Sequence, residues 1–385
     1  MLVDEAHNMV ERARKMYSAE LDQRSFRFAR KSAPKSLKTA LDRVNRQWNE
    51  LYRNQDGAYQ VYHAIAEKFL FALQQAGTDI TDLMTDEPES ISPELQRFYF
   101  DAMQFSKLAE VFGEHSMFDI TRDTEPGSKV QATLCIRNIV PAPFLKQRFA
   151  TAHSTTLFSA TLGPHHFYAD MLGLPDDTAW IDVESPFIAQ QLSVRIARAI
   201  STRYQHRTHS LSPIANLIAA QYASAPGNYL AFFSSFDYLK QVSDLFTERY
   251  PDIPVWQQSR GMDESAKNNF LARFNTGGHG IGFAVLGGAF AEGIDLPGDR
   301  LIGAFVATLG LPQVNPINEE MRQRMDVIFG KGYDYTYLYP GLQKVVQAAG
   351  RVIRTQEDKG FIHLIDDRFG RADVLELLPA WWQVQ

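Results

Sequence analysis

The sequence predicts a doubly wound α/β domain on a parallel sheet, preceded by a helical subdomain. Two patterns and one count lead there. Short apolar runs at 229–233, 281–286, 301–306 and 361–365 suit strands covered on both faces, with helical stretches between them. Earlier in the chain, apolar residues recur at spacings of three and four, as in 37–44 and 61–70, which argues for helices. The length, 385 residues, fits two or three domains, and 45% hydrophobic with 22% charged residues is an ordinary globular balance that excludes disorder, collagen and coiled coil.

Four segments follow in order. Residues 1–24 open on Leu2-Val3 and read as the end of a strand passing into a helix. Residues 25–115 are rich in helix formers, and Ser92-Pro93 has the form of an N-cap with proline at the first helical position. Residues 116–178 return to strand patterning at 130–136 and 155–162. Residues 179–385 repeat strand, loop and helix, the doubly wound pattern.

Composition narrows the function classes. No stretch of about 18 apolar residues exists, so no transmembrane helix is expected. The first residues lack a basic then apolar signal pattern, and a cytoplasmic protein is the default expectation. The single cysteine, Cys135, excludes an intramolecular disulfide and any iron–sulfur cluster built from this chain alone. The net charge of −6 hides an asymmetry. From Arg24 to Arg53 there are nine Lys/Arg and two Asp/Glu; from Gly77 to Glu125 there are three Lys/Arg and twelve Asp/Glu. Such runs either steer an anion or are simply solvated helix faces.

Several short motifs carry chemistry. Asp4-Glu5-Ala6-His7 follows an apolar strand end, where an aspartate can hold Mg²⁺ and a glutamate can polarise water. Ser159-Ala160-Thr161 ends a second strand. Ser234 and Ser235 follow a third, where hydroxyls and helix N–H groups suit a backbone phosphate. In Glu292-Gly293-Ile294-Asp295, Gly293 allows a tight turn and Asp295 offers a carboxylate to a ribose or an arginine. In Gln347-Ala348-Ala349-Gly350-Arg351-Val352-Ile353-Arg354, the two arginines are three apart and are expected on one helix face, matched to a triphosphate. A serine hydrolase is disfavoured because Gly-x-Ser-x-Gly is absent. His165-His166 and His206-x-x-His209 lack the pattern of a metal site. Trp381-Trp382 either stack a base or pack against the last helix.

Taken in order, these motifs resemble those of superfamily 2 helicases. Glu-Gly-Ile-Asp-Leu at 292–296, Gln-Ala-Ala-Gly-Arg-Val-Ile-Arg at 347–354 and Leu-Phe-Ser-Ala-Thr-Leu at 157–162 resemble the XPD/DinG branch in particular. The resemblance implies RecA-like motor domains: 1–24 and 116–178 as part of the first, 25–115 as an arch-like helical insertion, and 179–385 as the second. It implies ATP and Mg²⁺ as cofactors and single-stranded DNA as partner, with 5′ to 3′ movement. Asp4 would bind Mg²⁺, and Glu5 would act on water. Gln347, Arg351 and Arg354 would read the nucleotide, the arginines as finger candidates. Glu292, Gly293 and Asp295 would couple nucleotide to DNA, Ser234 and Ser235 would contact DNA, and Ser159 and Thr161 would link the motor domains. One departure stands out: the phosphate cradle Gly-x-x-x-x-Gly-Lys-[Ser/Thr] is absent. The expectation is therefore an amino-terminally truncated helicase that is ATPase-deficient by itself. The alternative is a non-catalytic nucleic-acid-binding or interaction module.

Overall fold

The computed structural model of the chain describes residues 1–53, 55–123, 131–291 and 293–385. It divides into two compact units, Met1–Thr178 and Ala179–Gln385.

The first unit contains β1 (Leu2–Val3), α1 (Met9–Met16), β2 (Ala19–Asp22), α2 (Gln23–Ser32), α3 (Lys38–Arg53), β3 (Tyr59–Tyr62), α4 (Glu67–Asp86), α5 (Pro93–Glu110), β4 (Ser116–Asp123), β5 (Gln131–Asn138), α6 (Ala142–Thr151), β6 (Thr156–Leu157) and α7 (His165–Leu172). Helices α2 to α5 bury one apolar face each. Phe26, Trp48, Phe69 and Phe105 form the centre of that layer, with Trp48 stacked on Phe26 and edge-on to Phe69. Asp22 caps α2 and Ser92 caps α5, each side chain accepting an N–H of the first turn. The layer packs on an antiparallel sheet in the order β2-β5-β4-β3. The seven exposed cations of the 24–53 run lie on or between α2 and α3, while Arg30 is paired with Asp42 at 2.6 Å. Burial pushes the Cys135 thiol up to about 12, so the one cysteine is an inert part of this sheet.

Separately, β1 and β6 pair in parallel, Leu2 with Thr156 and Val3 with Leu157. The strand expected over 155–162 is thus only two residues long, because Phe158 already turns to bond Ala6 and Val3.

The second unit contains β7 (Leu192–Ile196), α8 (Arg207–Ser224), β8 (Asn228–Phe233), α9 (Phe236–Arg249), β9 (Val255–Gln257), α10 (Glu264–Leu271), β10 (Gly280–Val285), β11 (Gly303–Ala307), α11 (Pro316–Phe329), a π-helical turn (Asp334–Leu338), α12 (Tyr339–Ala349), β12 (Gly360–Leu364) and α13 (Ala372–Leu375). Six strands run parallel in the order β7-β12-β11-β8-β10-β9. β7 lies at one edge; from the central β8 the chain places β9 and β10 on one side and β11 and β12 on the other, the RecA-like doubly wound arrangement. Each face has its own core, one around Phe232, Val306 and Val345 and the other around Tyr229, Phe233 and Phe305. That two-sided burial is why these strands read as continuous apolar runs. Trp382 lies in the first core and Trp381 packs against Phe187, so the tryptophan pair is structural. None of the described helices is long and apolar enough to cross a membrane.

Candidate functional site

In an open parallel sheet, ligands gather outside the carboxyl ends of the strands. Asp4, Glu5, Ser159, Ser234 and Ser235 follow such ends, whereas Gln347, Arg351 and Arg354 lie at or just past the end of α12.

In the first unit, Asp4 and Glu5 leave β1 on a strained turn. Glu5 adopts φ 50°, ψ 41°, a left-handed conformation that costs a residue with a Cβ about 1–2 kcal/mol. The turn is held from three sides. Asp4 Oδ1 accepts the Glu5 N–H at 2.7 Å, the Ala6 N–H reaches Phe158 O at 3.1 Å, and Phe158 N–H reaches Val3 O at 3.0 Å. Both carboxylates stay exposed. Backbone strain kept in place by surrounding bonds is a mark of functional turns.

The same turn brings Ser159 to Glu5 through His7. The His7 ring is buried, and its Nδ1 lies 2.6 Å from Ser159 Oγ and 3.1 Å from Glu5 Oε2. Ser159 Oγ also accepts the Thr161 N–H at 3.2 Å, and Thr161 Oγ1 is buried without a hydrogen-bond partner. Because one ring nitrogen serves both serine and glutamate, this is no proton relay of the hydrolase kind, which needs the two ring nitrogens on different partners. It is a shared hydrogen-bond cluster, in which Ser159 Oγ also lies 3.5 Å from Glu5 Oε2. Sequence reasoning singled out Ser159, Thr161 and Glu5 but not His7. The available signal was its place as the last residue of Asp-Glu-Ala-His.

In the second unit, the loop after β10 carries Gly293 and Asp295. Phe290, stacked on Phe270 at 4.1 Å, and Ala291 are buried and anchor it. Gly293 sits at φ 74°, where a side chain would be strained. Glu292 lies outside the described residues.

The arginine pair needs a correction. Arg351 and Arg354 are not on one helix face, because α12 ends at Ala349 and Gly350 is its cap. The chain leaves by tight turns, Arg351 N–H to Ala348 O and Val352 N–H to Ala349 O, since Val352 and Ile353 are drawn into the core. The pair still converges. Arg351 donates to Ile294 O at 3.3 Å, Arg354 donates to the same carbonyl at 3.1 Å, and Arg354 Nε lies 3.6 Å from Asp295 Oδ1. Asp295 thus has an arginine beside it. Gln347, in the last turn of the helix, is half-buried.

Asp358, which no motif flagged, holds this loop. Its carboxylate accepts the N–H groups of Arg354 (2.7 Å) and Thr355 (2.8 Å) and the Thr355 hydroxyl (2.8 Å). Burial would raise its pKa, but these donors keep it below the usual carboxylate range. Gln191 then ties residues 355, 356 and 358 down through their carbonyls.

Ser234 and Ser235 stand where expected, between β8 and α9. Ser235 caps the helix by accepting the Tyr238 N–H, and Ser234 Oγ accepts from Arg207 at 3.0 Å. No cluster of metal-ligating side chains occurs among the described residues, the histidine pairs included. A lone exposed carboxylate such as Asp4 suits Mg²⁺, which keeps most of its waters and takes other oxygens from phosphate.

Comparison with known proteins gives a consistent result. A helicase C-terminal domain family matches residues 218–385. The chain is 26% identical over 273 residues to the ATP-dependent DNA helicase chl-1 of Caenorhabditis elegans, covering 63% of this chain and 31% of that one. It is 23% identical over 265 residues to the general transcription and DNA repair factor IIH helicase subunit XPD of Dictyostelium discoideum, covering 62% and 33%. The chain thus spans about a third of the length of these curated relatives. Among solved structures, an XPD helicase superposes with TM-score 0.60 at 19% identity over 98% of this chain and 66% of that one. Xpd4 of S. tokodaii superposes with TM-score 0.63 at 16% identity over the whole of this chain and 75% of that one. At such identities the likeness speaks for the fold.

Proposed function

We propose that this chain, which belongs to the XPD/DinG-like branch of superfamily 2 helicases, binds single-stranded DNA and contributes part of an ATP-driven 5′ to 3′ motor. The convergence of Arg351 and Arg354 on one carbonyl beside Asp295 carries the reading. Two guanidinium groups are held together there, Arg354 Nε lying 3.6 Å from Asp295 Oδ1, and a guanidinium pair fixed on one carbonyl suits a polyanion. Each residue then has a role. Asp4 would hold Mg²⁺, which supplies charge neutralisation at the phosphates when bound. Glu5 orients the attacking water, with His7 and Ser159 fixing its position. Arg354 and Arg351 stabilise charge as the terminal phosphoryl group leaves, with Gln347 beside them. Gly293 and Asp295 relay that state to the DNA-binding turn at Ser234 and Ser235, together with Glu292. In this reading 1–24 and 116–178 belong to the first motor domain, 25–115 is its arch-like insertion, whose helical layer shares the antiparallel sheet β2-β5-β4-β3 with residues on both sides of those bounds, and 179–385 is the second motor domain.

The absence of a phosphate-cradle motif from the sequence supports a second reading, a non-catalytic nucleic-acid-binding or interaction module. The motor reading requires single-stranded DNA binding, which is tested first. Fluorescence anisotropy with labelled oligo-dT should show binding that weakens about tenfold or more between roughly 50 and 200 mM salt, as backbone contacts require. A mixed-sequence single strand should bind within about threefold of oligo-dT, since backbone phosphates carry no sequence information. Salt-independent affinity, or strong preference for one base sequence, would contradict the proposal.

A further inference from the structure

Arg207, the first residue of α8, has an unusual setting. Its guanidinium lies between two tyrosine rings, 5.2 Å from the centroid of Tyr204 and 5.1 Å from that of Tyr238. One terminal nitrogen donates to Ser234 Oγ at 3.0 Å, while Nε is buried with no acceptor. Among the described residues it makes no ion pair, whereas its neighbours do: Arg203 is held by Asp367 at 2.7 Å and Arg260 by Asp237 at 3.2 Å. Tyr238 is buried, with its hydroxyl 2.6 Å from that of Ser210. Tyr204 is 81% exposed.

These facts call for an anion and for a flat apolar group. A cation without a carboxylate, carrying a buried N–H that has no acceptor, gains from an anion far more than a solvated surface arginine does. The anion would also meet the Ser234 hydroxyl and the positive end of α9, a helix of 14 residues. Tyr204 has a cation over its ring and most of its surface in water, which leaves ring face for an unpaired base to stack on. Phosphate and base at neighbouring positions make one nucleotide. We propose that Arg207, Ser234 and Tyr204 form a one-nucleotide subsite for single-stranded nucleic acid, in which Arg207 and Ser234 take a backbone phosphate and Tyr204 stacks the adjoining base. The proposal rests on the single-strand reading above and adds a base-stacking element to it. The subsite accepts any base, because every base has a π-face.

The test uses the 385-residue chain, a labelled oligo-dT and an abasic oligomer of the same length. Tyr204→Ala should weaken oligo-dT binding by roughly 5- to 150-fold and leave abasic binding at the parent level. Tyr204→Phe should bind both as the parent does. Arg207→Ala should weaken both ligands and flatten the log–log salt slope by about 0.7, and Arg207→Lys should restore that slope. Parental oligo-dT affinity in Tyr204→Ala, or equal loss on the abasic strand, overturns the stacking role. An unchanged slope in Arg207→Ala overturns the phosphate role. If the parent binds and the variants match it, the subsite fails alone; if the parent binds neither oligomer, the single-strand reading fails and the subsite with it. Tyr204 is too exposed for its removal to unfold the unit, so that variant stays informative if Arg207→Ala melts early.

Discussion

Arg354→Ala should slow ATP hydrolysis about 10³-fold or more, measured by single turnover in a fusion protein that supplies the strand, Gly-x-x-x-x-Gly-Lys-Thr loop and helix of a folded phosphate cradle together with this chain. Single-stranded DNA affinity should stay within about threefold, because a remote point charge contributes little to an equilibrium dominated by contacts along the strand. The size follows from where the guanidinium is held. Ile294 O and Asp295 occupy one edge of Arg354, and Asp358 fixes its backbone, so the group is positioned before any phosphate arrives. A preorganised cation gains most when charge spreads in the transition state, which makes its loss a loss of rate. Arg351→Ala should differ by also weakening ATP binding, since a phosphate contact of that kind acts in the ground state as well. Hydrolysis at the parent rate in Arg354→Ala would mean that the pair merely staples the 294–295 loop to the end of α12.

The largest stability effect is expected at Asp366. This residue follows β12, is fully buried, and accepts five hydrogen bonds: from the N–H and hydroxyl of Thr202, and from the N–H and two guanidinium nitrogens of Arg368. Asp366→Ala leaves a largely buried guanidinium and the buried Thr202 donors unpaired, and should cost about 3 kcal/mol or more. For a unit of this size the melting midpoint should fall by roughly 6–20 °C. The pH dependence has a definite sign. Burial alone would raise the Asp366 pKa, but the hydrogen bonds and charge of Arg368, with Thr202, hold it at about 2. A depressed folded-state pKa means stability that is fully present above the unfolded value near 4 and lost as pH falls toward about 2. Asp366→Ala should therefore flatten the acid limb of the stability–pH curve by roughly 2 kcal/mol. A variant that melts within about 2 °C of the parent and keeps the same acid limb would show that the unit does not depend on this network.

The α/β class was legible because the parallel strands are buried on both faces and their apolar runs stand out between helices. β2 and β3 were not, for a local reason. Each has four residues of mixed polarity, such as Ala19-Glu20-Leu21-Asp22, too short for an alternation to separate from the helices beside it. The arginine spacing suggested a continued helix, and propensity gave no warning. What ended it was tertiary: Val352 and Ile353 find a core to enter, and Asp358 captures the amides that a further turn would have used. His7 and Ser159 are 152 positions apart, and only the pairing of β1 with β6 brings them within hydrogen-bond reach. Tyr204 precedes, and Arg207 lies within, a histidine pair that drew attention for metal chemistry, while the tyrosine–arginine stacking there has no sequence signature.

ATP turnover with and without the phosphate cradle bears most directly on the central claim, that this chain carries the water-orienting and arginine elements of a helicase motor but not its cradle. The 385-residue chain alone should hydrolyse ATP at background rate, with or without single-stranded DNA. The cradle-bearing fusion should reach about 1–10³ per second with single-stranded DNA present and lose that turnover with Glu5→Gln. DNA-stimulated turnover in that range by the chain alone, or a fusion whose turnover is untouched by Glu5→Gln, would contradict the account.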